Sequence, residues 1–513
     1  MDLRVLIQQN TRSTAMHTNK DYNRLAASKD IWKTRAGDYN SKARRETQRA
    51  GYHSRCHETL LKEIIALNKE VDELKQLLND NSRKPIQIIS KPVLHLLCFQ
   101  LIINVHVSFR SIPKILAIIC QQFGLLSEIP CYTTIIEWIL RIGLAGVKMA
   151  GKIAEPWIGI MDFSVQSGKE KVLVVLRLPL SYYTNKYKPP CLTDCETIAV
   201  SVRAAWERCD LINELNTVIK QCGQPIYWLT DGGKDLAAAI RELPRAEDAQ
   251  RKPYHILDIG HYFANILKRI YSKDERFVSF LTAVAKCSSL IRQTEFAFLT
   301  PPRIRSKGRF LSISRLTDWF QGLREYLARN VRAADTVYQE RLNKYFAWTD
   351  EFAEFIDEFS QILEINDKLL KLTKTQGIDQ NIWLESKEIL KPLPVEHEFY
   401  QEANRYLRRC LQVSNFLNGV PLVISDDVIE TLFGHLKVII GEGKNSNFGR
   451  MALVVGAFTG KRDITRIDAA FDKIKTTDLR AYIKQNIPKT LLYKRKRNLK
   501  LANIKKRKLA KTG

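Results

Sequence analysis

Two aspartates in this chain stand where apolar strands end, and a glutamate lies on a late helix. Asp162 falls in Trp157–Leu178, WIGIMDFSVQSGKEKVLVVLRL, where apolar runs on either side of Gln166-Ser167-Gly168-Lys169 predict a β-hairpin. Asp231 follows the run Ile226-Tyr227-Trp228-Leu229-Thr230 and precedes Gly232-Gly233. Glu430 sits in SDDVIETLFGHLK, one turn inside a helix that Ser425 or Asp426 would cap. An acid among apolar residues is costly unless something pairs with it or coordinates it. If the first and fourth strands are neighbours, Asp162 and Asp231 emerge at one sheet edge, and the Glu430 helix can pack across it. Three converging carboxylates repel one another unless cations neutralise them, which hard divalent ions with oxygen ligands do. Two Mg²⁺ ions roughly 4 Å apart can activate an attacking oxygen and stabilise the leaving oxygen of an in-line phosphoryl displacement.

Each acid also has a plainer reading. Asp231 before Gly-Gly suits a turn, and Glu430 suits the acid-favouring start of a helix. Asp426 and Asp427 compete for the part given to Glu430, which is preferred for the face it shares with Phe433 and Gly434. His261, on the helix after Asp258, reads by itself as a structural histidine.

The elements that must position these residues follow from the pattern. Residues 157–270 alternate strands and helices: the hairpin, a third strand at Thr197–Val202, and a helix near Leu211–Gln221. The strand ending at Asp231, a helix at Lys234–Leu243, the short strand Tyr254–Leu257 ending at Asp258, and a helix from Gly260 to Ile270 complete it. A hairpin followed by β/α units implies a mixed sheet with helices on its faces. Residues 271–420 are helix-prone and charged and form a helical block. Residues 85–150 read as short helices, the last opening at Thr133/Thr134, a helix-turn-helix pattern with Thr134, Glu137 and Arg141 exposed towards DNA; a plain helical subdomain is the alternative. Leu60, Ile64, Leu67, Val71, Leu74 and Leu78 step by four and three, a coiled-coil seam or one side of a helical hairpin.

Composition narrows the partners. Across 513 residues, 81 Lys+Arg face 55 Asp+Glu for a net charge of +26, a field that attracts nucleic acid. Much of it lies at the C-terminus, in Lys494-Arg495-Lys496-Arg497 and Lys505-Lys506-Arg507-Lys508, expected to be disordered until a polyanion binds. No apolar run is long enough to span a bilayer, the start MDLRVLIQQNTRS lacks the form of a signal peptide, and the 10 cysteines are scattered. No membrane partner and a reducing intracellular location are therefore expected.

The set IGIMDFS, IYWLTDGG and SDDVIETLFGHLK resembles the DDE transposases of insertion sequences. The resemblance implies an α/β RNase H-like catalytic core with a large helical insertion, plus N-terminal coiled-coil and helix-turn-helix regions. It extends to Asp258-Ile259-Gly260-His261, which is similar to the Cys/Asp-x-x-His motif of hAT, Mutator and P-element types. The layout it implies is a helical and coiled-coil region at 1–84, a helix-turn-helix domain at 85–150 and the first part of the core at 151–270. A helical insertion at 271–420, the last part of the core at 421–456 and a basic tail at 457–513 follow.

By this resemblance Asp162, Asp231 and Glu430 hold two Mg²⁺ ions, with Mn²⁺ as a substitute. His261 serves the scissile phosphate and Asp258 orients it. Thr134, Arg141, Lys494, Arg495, Lys496 and Arg497 are the expected DNA contacts. The implied activity is cleavage at element ends and strand transfer into target DNA, by a homodimer or larger homo-oligomer on double-stranded DNA in a bacterial-type, nucleoid-associated setting. The alternatives are an RNase H-like nuclease without strand transfer, and an inactive, transposon-derived helix-turn-helix protein.

Overall fold

The computed structural model describes residues 89–123, 128–165, 170–182, 188–244, 252–304, 308–330, 336–441, 448–489 and 493–500. The heptads at Leu60–Leu78, the hairpin turn 166–169 and the basic cluster 505–508 lie outside the described residues. In chain order the elements are α1 (Lys91–Ile103), α2 (Ile112–Phe123), α3 (Tyr132–Met149), β1 (Trp157–Val165), β2 (Lys171–Pro179), β3 (Glu196–Arg203), α4 (Arg208–Cys222), β4 (Tyr227–Thr230), α5 (Lys234–Glu242) and β5 (Tyr254–Leu257). Then come α6 (Ile259–Tyr271), α7 (Glu275–Ile291), α8 (Ser314–Asn330), α9 (Thr336–Phe346), α10 (Ala353–Gln376), α11 (Gln380–Leu390), α12 (Glu398–Phe416), α13 (Asp427–Ile440), α14 (Val455–Phe458), α15 (Ile464–Lys473) and α16 (Thr476–Asn486). Residues 493–500 are helical and exposed.

The strands form one mixed sheet in the order β3-β2-β1-β4-β5. β1 and β2 pair antiparallel, as strands joined by a short turn must, and β2 pairs antiparallel with β3. β4 and β5 are reached through helices α4 and α5 and pair parallel, β4 with β1 and β5 with β4. One face packs Met161, Leu173, Val175 and Trp228 on Leu211, Leu215 and Val218 of α4 and on Leu236, Ala239 and Ile240 of α5. Val172–Leu178 of β2 is buried without interruption, Arg177 included, because the other face is covered too, as the apolar run Val172–Leu176 anticipates.

Part of that second cover is α3, which contacts β3, α14, α15 and α16. Its buried stripe holds Ile135, Ile139, Leu140, Ile142, Leu144 and Val147. Of the three positions expected to face DNA, Glu137 and Arg141 are held by other parts of the chain, while Thr134 makes only a local contact. Thr134 Oγ1 lies 3.1 Å from Cys131 Sγ, and Glu137 accepts from Arg480 at 2.9 Å. Arg141 donates to the carbonyls of Ile474 and Phe471 and lies over the Phe471 ring. Residues 86–150 thus belong to one compact unit with the sheet, Ile86–Ile266 and Asn366–Gly513. The apolar character of α3 is the physical reason: a helix with this much apolar surface serves as a core layer.

The second unit includes Leu267–Ile365. Taken by itself it is helical, with an aromatic-rich core of Ile291, Phe296, Leu323, Tyr326, Leu342 and Phe346 joined by Trp319, Tyr338 and Trp348. Among the described residues of 271–420 no strand forms, only a single bridge from Ile378 to Leu422.

α3 and α14 cross at two glycines. A Cβ on Gly143 would stand 1.9 Å from the Leu453 carbonyl oxygen, and one on Gly456 would stand 2.2 Å from the Gly143 oxygen. Gly434 of α13 has open space around it. Gly143→Ala should therefore destabilise by about 2–3 kcal/mol through overpacking, whereas Gly434→Ala should stabilise by up to about 1 kcal/mol through helix propensity. Thermal midpoints moving in opposite directions would bear this out, and equal midpoints would show that the crossing is not tight.

Candidate active site

The register of the parallel strands assembles the acids. β1 and β4 align with Gly159 opposite Trp228 and Ile160 opposite Leu229, and β4 and β5 align with Thr230 opposite Leu257. Carrying both registers onward sets Asp162, Asp231 and Asp258 side by side at the carboxyl ends of β1, β4 and β5. Neighbouring strands lie about 4.8 Å apart. The carboxyl ends of parallel strands are where open α/β sheets place their ligands.

Local chemistry holds each one. Asp162 Oδ1 accepts from the Phe163 amide at 2.5 Å, and Asp231 Oδ1 accepts from the Gly233 amide at 2.8 Å. The Gly at 232 is required, since its φ of +85° is a region L side chains rarely adopt. Asp258, 2% exposed, lies immediately before α6. Its Oδ2 accepts from the His261 amide at 2.7 Å and lies 3.1 Å from His261 Nδ1, while its Oδ1 accepts from the Asp426 amide at 3.1 Å.

That last bond returns the chain to the sheet after the helical block. The Ile259 amide donates to the Ile424 carbonyl at 2.9 Å, and the Tyr227 hydroxyl donates to the Val423 carbonyl at 2.9 Å. α13 starts from there and buries Val428, Ile429, Leu432, Phe433 and Leu436. Glu430 and Gly434 are exposed while Phe433 is buried, so Glu430 stands at the margin of the packed stripe and not within it. Asp426 precedes the helix but its side chain does not cap it; Ser425 Oγ takes the Asp427 amide at 3.4 Å.

Two groups absent from the sequence-derived set join the site. Asp426 is 1% exposed, and neither carboxyl oxygen has a hydrogen-bond partner. Lys374, near the end of α10, donates to both oxygens of Asp427 at 2.7 and 2.9 Å and acts electrostatically on Asp258 and Glu430. Asp426 could have been found in the sequence, as one of the rivals to Glu430. Lys374 carries no motif, and only the fold reveals it.

The groups feel one another's charge. Burial, then Asp231 and in smaller part Glu430, push the Asp162 carboxyl up to about 7, against the Phe163 amide and His261. Burial and Asp258 push Asp426 up to about 9, with Asp162 and Glu430 adding to the effect. Burial raises Glu430 as well, opposed by His261. The hydrogen bond to Asp258 holds the His261 imidazole up to about 9, with Asp426 and Asp231 assisting it. Asp258 itself is lowered: burial opposes ionisation, but the His261 ring and amide and the Lys374 charge outweigh it. So many carboxylates, one of them with both oxygens orphaned, form a donor set that fits divalent cations.

Of the expected DNA contacts, Lys494, Arg495, Lys496 and Arg497 are exposed on the helical segment 493–500. Thr134 and Arg141 lie on α3, both half-buried, the first beside exposed Cys131 and the second with its guanidinium on backbone carbonyls.

No family model matches the chain, and no curated protein matches it. Among solved structures, 13 chains match. One of them, the Drosophila P element transposase strand transfer complex, is similar over 77% of this chain and 97% of that chain, at 11% identity and a TM-score of 0.41.

The proton balance predicts a pH dependence. In the folded chain Asp162 and Asp426 keep protons up to about 7 and about 9, which the unfolded chain releases near 3.8. His261 keeps its proton to about 9 instead of 6.5. The folded state thus binds more protons over this range, and metal-free stability should fall as pH rises through it. Asp258 acts in the opposite sense, since its carboxyl is held below the ordinary aspartate value. Divalent cations replace those protons, so Mg²⁺ or Mn²⁺ should raise the thermal midpoint more at about pH 8.5 than at about pH 5.5. Equal shifts at the two pH values would speak against cation binding at this edge.

Proposed function

We propose that the chain is a divalent-metal-dependent DNA transposase with an RNase H-like core. It cuts phosphodiesters at the ends of its own element and joins the freed 3′-hydroxyl to target DNA. The observation that carries this reading is the register of β1 and β4, which sets Asp162 beside Asp231, together with the charge that Glu430 exerts on Asp162 from α13.

In this reading Asp162, Asp231 and Glu430 hold the ions. Bound there, divalent cations activate the attacking oxygen and neutralise charge on the leaving oxygen. The chain's own residues do the rest. Asp162 and Asp231 are fixed by amide hydrogen bonds at the strand ends, so their oxygens need little reorganisation on binding. His261 is oriented by Asp258 through Nδ1, and its raised pKa keeps it cationic at neutral pH, suited to a scissile phosphate. The Lys374–Asp427 pair pins the first turn of α13 and with it Glu430.

The same site serves hydrolysis and joining, because only the nucleophile changes, from water to a 3′-hydroxyl. The net charge of +26 draws DNA to the protein without regard to sequence. Lys494, Arg495, Lys496 and Arg497 are the contacts this reading assigns to the phosphate backbone. Arg141, also expected at the DNA, donates to the carbonyls of Ile474 and Phe471.

An assay with pre-cut element ends, target DNA and Mg²⁺ or Mn²⁺ tests the reading. Joined product supports it, cutting without joining favours a nuclease, and binding alone favours a non-catalytic DNA-binding protein. Asp162→Asn and Glu430→Gln should each lower joining by at least about a hundredfold, a loss no smaller than that of a residue merely supporting a metal ligand. Asp162→Asn should leave DNA affinity intact. Full joining by either variant would remove that residue from the metal site.

A further inference from the structure

Asp426 has no part in the reaction above and no partner in the fold. It is 1% exposed, both carboxyl oxygens lack a hydrogen bond, and it lies at the start of α13 facing the end of β5. A buried carboxylate in that state is destabilising unless a proton or a cation joins it. What it faces is a matching pair of donors. One ligand atom each from Asp258, His261 and Asp426 lie within 4.8 Å of one another.

We propose that Asp258, His261 and Asp426 form a site for one transition-metal dication of the Zn²⁺ or Mn²⁺ kind, separate from the carboxylates Asp162, Asp231 and Glu430. The site goes beyond the transposase reading, and an ion bound there would take His261 as a neutral ligand, in place of the cationic role that reading gives it.

Three features argue for this class of ion. An imidazole among the donors disfavours Mg²⁺ and Ca²⁺, which take oxygen ligands, and suits Zn²⁺ or Mn²⁺. Tetrahedral ligands about 2.1 Å from one ion stand about 3.4 Å apart, so donor atoms that lie within 4.8 Å of one another close on an ion with movements of up to about 1.4 Å. Asp258 is already oriented by the amides of His261 and Asp426, the kind of outer support that ligands at metal sites receive. The two carboxylates are 2% and 1% exposed, while the His261 side chain is 28% exposed and leaves one side open. An ion there joins the end of β5, the first turn of α6 and the start of α13. It thereby sets the position from which Glu430 projects one turn later.

The test uses the full chain, stripped with a chelator and kept free of DNA, titrated calorimetrically with Zn²⁺ and followed in the visible with Co²⁺. One Zn²⁺ should bind tightly, and Co²⁺ should give ligand-field bands. Asp426→Asn and His261→Gln should each weaken Zn²⁺ by about tenfold or more and alter the Co²⁺ bands, while Asp162→Asn changes neither. If Asp426→Asn does not fold, His261→Gln carries the same test, since that side chain is partly exposed. Zn²⁺ binding that survives both variants is binding elsewhere, for instance at thiols, and overturns the site. So does an Asp162→Asn variant that loses it. Joining in Mg²⁺ is read separately, so failure here is distinguishable from failure of the transposase reading.

Discussion

The structure of the candidate site depends on how many bonds one carboxylate can accept. Asp258 takes the His261 amide, the His261 ring and the Asp426 amide on its two oxygens. Those bonds connect the last strand, the helix that follows it and the helix that returns after the insertion. They add to the Ile259–Ile424 and Tyr227–Val423 bonds just before α13 and to its apolar stripe, which by itself can slide. A charge-assisted bond to a backbone amide does not slide, because direction and distance are both constrained. The constraint is therefore geometric first: it decides where Asp426 and Glu430 are.

It is also electrostatic. Setting Asp162, Asp231, Asp258, Asp426 and Glu430 together raises the free energy of the ionised folded state, as the upward shifts of Asp162, Asp426 and Glu430 record. Two cations of the chain offset part of it, His261 directly and Lys374 through Asp427. The rest is left to protons or metal ions. On a molecule of net +26 this local excess of negative charge stands apart, and clustered acids with raised pKa values are what functional sites tend to hold. Acids grouped in this way, on a molecule whose net charge gathers phosphates, would suit the metal-assisted phosphoryl transfer proposed above.

Much of this was legible in the sequence because it was local. The runs before Asp231 and Asp258 are strands with nearly the expected limits, the run holding Asp162 is a strand that continues to Val165, Thr197–Val202 lies within β3, and Glu430 lies in the first turn of a helix that starts at Asp427. The helical character of 271–420 also followed from its pattern. What the sequence did not disclose was of two kinds. Exposure on a helix needs the neighbours: α3 has the periodicity of a surface helix at Thr134, Glu137 and Arg141, yet α15 and α16 supply partners for the last two from far along the chain. Burial of a polar residue needs them even more. Asp426 and Asp427 are adjacent and alike, but one is sealed against β5 and the other meets Lys374 at the surface. No periodicity distinguishes them.

The contrast between those adjacent aspartates bears on why the glutamate sits where it does. A helix start favours acids through its dipole, so SDDVIE would be stable on its own terms with every acid exposed. The fold uses them unequally. Asp427 takes a cation from α10, Asp426 is turned inwards without a partner, and Glu430 is left at the margin with its carboxyl in reach of Asp162's field. A stability argument alone accounts for Asp427. For the other two it predicts a more comfortable arrangement than the one present, such as a neutral residue at 426 and a lysine or glutamine at 430. One acid buried without a side-chain partner and one within the field of Asp162 leave a charge balance that a bound cation would complete.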